Sequence, residues 1–271
     1  MKKNLIFLLS VCLSLQASTY AQDLFTVIKV SGNIVIERTG SMLDIGTSFF
    51  QNENLLFKVP ESRAAVINPD RGRFLITSEN LSTFKTSKSN FLPPAGKIST
   101  RALSTSPNRG IGDLKNHFEG NYLMLDEIRL KIDSTVYPMA DNKFFFITYN
   151  LKDRQINKKL IHKHDTLFIN RNELLIVDGK IIPDSLVTSM KLAYLIVEDG
   201  SYNAATVCTF TPVFPDKSSL GQEVKVIYDL MANKSYNEKM NEISAFVKEF
   251  YGKFDDKSLQ KWLFDNFGIK Q

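Results

Sequence analysis

Apolar residues in this chain arrive in short bursts broken by turn formers. In the first half they fall at 24–30, 34–36, 43–45, 48–50, 55–59, 64–67 and 73–76, separated by Ser31-Gly32-Asn33, by Thr39-Gly40-Ser41 and by the reversal Pro69-Asp70-Arg71-Gly72. Runs this short, rich in β-branched and aromatic residues and punctuated by Gly, Asn, Asp or Pro, predict strands joined by tight turns. A helix needs a longer uninterrupted window. Strand signals return at 128–132, 143–149, 166–169, 173–177, 191–197, 205–210 and 224–228, with Asp178-Gly179, Asp199-Gly200 and the 170–172 break as reversal points. "DTLFINRNELLIVDGKIIP" (165–183) reads as consecutive strands. A second β-rich, sandwich-like domain over 114–232 follows from this rhythm.

After Ser235 the period changes. Met240, Ile243, Val247, Phe250 and Tyr251 fall three or four apart with Lys239, Glu242, Lys248 and Glu249 between them, one apolar stripe on a charged helix. Gly252 ends it, Asp255 or Asp256 caps the next, and that helix presents Leu259, Trp262, Leu263 and Phe267. The expectation is a helical pair over 233–271 that packs on the preceding sheet or on itself; the alternative is a docking surface for a partner. Balanced charge argues against an anchor on anionic membranes.

The first residues form a different pattern. Lys2 and Lys3 precede an apolar stretch at 5–15, followed by small and polar residues ending at Ala21. This is the layout of a secretory signal peptide, 1–21, too short in its apolar core to span a membrane. A lipoprotein signal around Cys12 is the rival, disfavoured by Val11 beside it. Removing the leader lowers the formal net charge from +5 to +3 and leaves Cys208 as the mature cysteine. No internal disulfide is then expected, so the core must carry stability. The modest charge excludes a strongly basic nucleic-acid binder, and no transmembrane anchor is expected once the leader is cleaved. The expected location is periplasmic or secreted.

Between the two halves, 80–112 contains no Asp or Glu while Lys85, Lys88, Lys97, Arg101 and Arg109 lie among Ser, Thr, Pro and Gly. This predicts a flexible basic linker over 85–113, a tether or an arm for an anionic envelope polymer.

The segment "VIKVSGNIVIERTGSMLDIGTSFFQNENLLFKVPESRAAVIN" (27–68) resembles a FecR-type domain through Gly32, Val35, Gly40, Leu43, Gly46, Leu55, Ser62, Ala64 and Val66. The resemblance covers about residues 24–80. It implies a β-roll or sandwich module of bacterial envelope proteins, occupying 22–84, some of whose members regulate transport-linked signalling. The family pattern holds no catalytic residue to transfer. The membrane helix of its sensor members is not expected here.

Chemistry-bearing residues are few. "HKHD" holds His162, His164 and Asp165; on a strand the two histidines would share a face, a spacing that can hold a metal. His117 stands apart, and Cys208 in "TVCTF" alternates with apolar neighbours as a buried small hydrophobe does. "PPAGKIST" lacks the first glycine of a phosphate loop, and no G-x-S-x-G or HExxH pattern occurs. The carboxylates are scattered. The reading is therefore a mainly β, non-catalytic exported envelope protein without catalytic, cofactor or metal residues, acting as a binding, scaffold or regulatory module with an envelope protein partner. The rivals are a metal-dependent hydrolase with a site in the C-terminal β domain and an adaptor for an anionic polymer.

Overall fold

The computed structural model describes residues 23–88 and 110–269. The leader with Cys12, and Lys97, Arg101 and Arg109 of the basic stretch, lie outside the described residues. The fold is mainly β, with helices gathered toward high residue numbers. Two compact units are distinguished among the described residues, one from 23–70 and 74–88, the other from 71–73 and 110–269.

The first unit contains β1 (Leu24–Ser31), β2 (Ile34–Ile36), β3 (Ser48–Phe50), β4 (Leu55–Phe57), β5 (Arg63–Asn68), β6 (Gly72–Thr77) and helix α1 (Leu81–Thr86). Four strands form a sheet in the order β3-β1-β5-β6, and β2 pairs with β4. Val27 faces Val66 and Val30 faces Ala64, with a bulge between Val27 and Lys29. An extra residue in a bulge breaks the in-out alternation, which fits Val27 and Ile28 both being buried. Phe84 of α1 closes this core, its ring 4.9 Å from Phe25 and 5.4 Å from Phe74. Burying such a ring contributes about 1.5–3 kcal/mol. The stretch at 43–45 is not a strand: Leu43 is bound through its N–H to Ile34 O at 2.8 Å, and Met42 makes only a single bridge to Val35.

Gly32 shows why glycine stands in the first turn. Its φ is +83°, and a Cβ there would lie 2.3 Å from Ser62 Oγ. That hydroxyl accepts the Asn33 N–H at 2.9 Å, so backbone and hydroxyl can meet only where no side chain intervenes.

The second unit starts with α2 (Leu114–Phe118), β7 (Asn121–Leu123), β8 (Glu127–Lys131), β9 (Lys143–Leu151), β10 (Arg154–Lys159), β11 (Ile161–Lys163) and β12 (Thr166–Asn170). It continues through α3 (Arg171–Leu175), β13 (Ile176–Val177), β14 (Lys180–Ile181), β15 (Met190–Glu198) and β16 (Ser201–Val213). Helices α4 (Lys217–Leu230), α5 (Tyr236–Tyr251) and α6 (Asp256–Phe267) follow. A five-stranded sheet has the order β10-β9-β15-β16-β7, and a three-stranded sheet the order β11-β12-β8. Phe145, Ile147 and Tyr149 alternate into the core from β9, as a pleated strand requires.

Two further strand expectations need correction. Residues 173–175 are helical and only Ile176–Val177 of the expected strand is extended: Asn170 Oδ1 accepts the N–H groups of Asn172 and Glu173 at 3.0 and 3.2 Å, nucleating α3. Residues 224–228 lie in α4, whose cap Asp216 accepts Ser219 N–H at 2.8 Å. The β-branched run there belongs to a helical stripe, with Leu220, Val224, Ile227 and Met231 all buried. The helical pair expected over 233–271 is α5 and α6; α4, which precedes it, packs on both, while α5 reaches β7 and α6 reaches β8. The basic stretch also has structure at both ends, since α1 runs to Thr86 and Ile111 bridges to Ile132.

Candidate functional site

The histidine pair does not form one face. His162 stands in β11 opposite Leu167, whereas His164 has left the strand with φ +54°. Residues two apart share a face only while the backbone stays extended, so the left-handed step turns His164 away. It is exposed in the turn, and Asp165 Oδ2 lies 3.5 Å from Lys131 Nζ. Among the described residues, no three His, Cys, Asp or Glu side chains gather closely enough to hold a metal ion.

His117 is built into a core. Its Nε2 lies 2.8 Å from the Tyr122 hydroxyl, and its ring stands edge-on to Phe118 at 5.0 Å. Tyr122 is fully buried and its ring lies 4.4 Å from Phe118. Burial pushes the His117 pKa below its ordinary value, with Asp255 opposing and Lys253 assisting. Burial likewise pushes the Tyr122 phenol up, Asp255 and Asp256 adding to it. A neutral imidazole accepting the phenolic proton at Nε2 satisfies both groups. This is a packed polar pair.

Cys208 is buried, and desolvation raises its thiol to about 11. A thiol protonated at neutral pH is a poor nucleophile. Sequence reasoning missed two buried carboxyls: Glu242, which was read as part of a charged face, and Glu223, which accepts the Tyr251 hydroxyl at 2.5 Å. Burial, then the bond to Glu223, pushes the Tyr251 phenol far up. The signal was available: Glu223 adjoins Val224 on the stripe of Leu220 and Ile227, and an acid on an apolar stripe needs a buried donor. The Glu223 and Tyr251 pair ties α4 to α5.

The apolar faces expected on the terminal helices are covered. Met240, Ile243, Val247, Leu259, Trp262 and Leu263 are all buried. Ser258 Oγ accepts Arg129 N–H at 3.1 Å, and Trp262 Nε1 donates to Asp126 at 3.3 Å. What remains open between α5 and α6 is a groove of about 480 Å³ lined by Met240 and Ala245, by the polar Asn237, Asn241, Ser244 and Gln260, and by the charged Lys248 and Asp256. Amides and a hydroxyl there can donate and accept neutral hydrogen bonds. That chemistry suits a peptide or another amide- or hydroxyl-bearing chain. In the first unit a second concavity is lined by an ion pair, Arg38 Nη2 lying 2.6 Å from Glu53.

No helix among the described residues is long and apolar enough to cross a membrane. No protein-family model matches the chain, and no curated protein does. Among solved structures, the N-terminal four Ig domains of Dscam1 isoform 8.4 align at 13% identity over 70% of this chain and 44% of that one, with a TM-score of 0.19. Those of isoform 6.9 align at 10% identity over 71% and 45%, with a TM-score of 0.18. This chain thus spans less than half of either, and scores so low do not equate the folds.

Proposed function

We propose that this is a non-catalytic, exported protein of a bacterial envelope that binds a protein partner as a scaffold or regulatory module. The observation that carries the reading is where its reactive side chains stand. His117 is held by Tyr122, Glu223 by Tyr251, and Cys208 is buried as a protonated thiol. Each serves packing. The groove between α5 and α6, with amides and a hydroxyl beside the charged Lys248 and Asp256, is the contact surface for an extended peptide segment of that partner.

Export rests on the leader pattern at 1–21, and the periplasm or the medium is the destination. A FecR-like first unit is part of the same proposal. Its local support is that Gly32 and Ser62, both in the matching set, meet in one bond network, and that Gly40 and Gly46 both have positive φ. The hydrolase reading would need His162 and His164 to converge on one ion, and their backbones diverge. The test is crosslinked capture from the native envelope with wild-type protein and with Asn241→Arg, which fills the groove with a charged chain. A defined partner lost in the variant supports the proposal. Zinc bound at one equivalent and lost on His162→Ala with His164→Ala would overturn it in favour of the hydrolase.

A further inference from the structure

The five-stranded sheet has two unlike edges. On one side β10 carries Arg154, Lys158 and Lys159, the charges with which natural sheets discourage edge pairing. On the other, β16 is covered by β7 only along Thr211–Val213. Helix α2 packs beside it near that end, Phe118 stacking on Phe210 at 4.9 Å. Residues 201–206 are exposed throughout, Tyr202 at 76%. No strand or backbone hydrogen bond among the described residues reaches their outer edge. From Ser201 to Val213 there is no charged residue, and Pro212 comes after the open part.

The register tells which groups are on offer. Asp199 and Gly200 both have positive φ, +50° and +76°, between the closing pair Glu198 and Ser201. A two-residue turn of that kind makes its closing pair the hydrogen-bonded one, and bonded and non-bonded pairs then alternate. Tyr202 opposite Val197, Ala204 opposite Leu195 and Thr206 opposite Ala193 are therefore non-bonded pairs. Their N–H and C=O groups point away from β15. Val197 N–H, directed the other way to Asn142 O at 2.8 Å, fits the same alternation.

We propose that this edge pairs with the same edge of a second copy of the chain, β16 against β16, antiparallel about a two-fold axis at Ala204. Such an axis places Ala204 against Ala204 and Tyr202 against Thr206, and forms about six backbone hydrogen bonds. Every residue on an axis of this kind faces its own type or its mirror position, so one lysine would meet another across it. The run is free of charge where this matters, small on the axis, and has an aromatic beside a β-branched residue on each side, a favourable cross-strand pair.

Sedimentation equilibrium of the purified protein tests this, with Ala204→Lys as the variant. The expected result is a reversible wild-type dimer that Ala204→Lys weakens at least tenfold while the melts of the two proteins coincide at concentrations dilute enough for both to be monomeric, the side chain being exposed. Ala204→Cys should form a disulfide-linked dimer on mild oxidation, since bonded antiparallel partners have Cα atoms about 5.5 Å apart. Thr206→Cys, facing Tyr202, should not. A wild-type monomer at all concentrations would overturn the proposal, as would a dimer indifferent to Ala204→Lys or equal crosslinking by both cysteines.

Discussion

Gly32 and His117 each carry a consequence that a single substitution exposes. Gly32→Ala forces a side chain into positive φ and onto Ser62 Oγ; residues held in that region cost about 1–3 kcal/mol. Urea unfolding should show a loss of at least that size. For His117 the sign follows from burial. Its folded pKa lies below the ordinary 6.5, so the unfolded chain binds the extra proton in the interval between the two values. Stability is full above about 6.5 and falls as pH drops through that interval, levelling once both states are protonated. Urea midpoints between pH 7.5 and 5 should fall for the wild type and fall less for His117→Gln. At this scale the sequence was informative about turns, since Asp178-Gly179 and Asp199-Gly200 are both positive-φ pairs. It misled at His164, because a strand face was assumed where the backbone turns left-handed.

Helix ends were legible because their chemistry is local. Ser235 accepts Glu238 N–H while Glu238 accepts Ser235 N–H, a full capping box, and Gly252 and Asp255 stand where they end one helix and start the next. Ser235→Ala should lower stability by about 1 kcal/mol, measurable as a shifted urea midpoint with an unchanged slope. Gly252 carries a second constraint invisible in sequence: with φ +95°, its Cβ would lie 2.3 Å from Asn121 O, where Lys253 bonds alongside β7. Helices α3 and α4 were hidden for an opposite reason. Leu174-Leu175, which runs on into the strand Ile176–Val177, and Val224-Lys225-Val226-Ile227 have the composition of strands, and packing overrides propensity where a cap and a buried stripe both favour helix.

For the whole molecule, the pattern of apolar bursts was enough to give a mainly β fold with helices toward high residue numbers. What it could not give was pairing, because contacts such as His117 with Tyr122, Glu223 with Tyr251 or Arg129 with Ser258 depend on register and helix placement. The groove between α5 and α6 is of that kind too: its polar walls lie on the solvent side of stripes that were read for their buried side. Under the proposed function the molecule works by holding a partner. Crosslinked capture from the native envelope, quantified for wild type against Asn241→Arg, addresses it most directly. A partner recovered in fixed proportion with the wild type and at least tenfold depleted with the variant is the expected result. A wild type that captures nothing beyond what the variant does would contradict it.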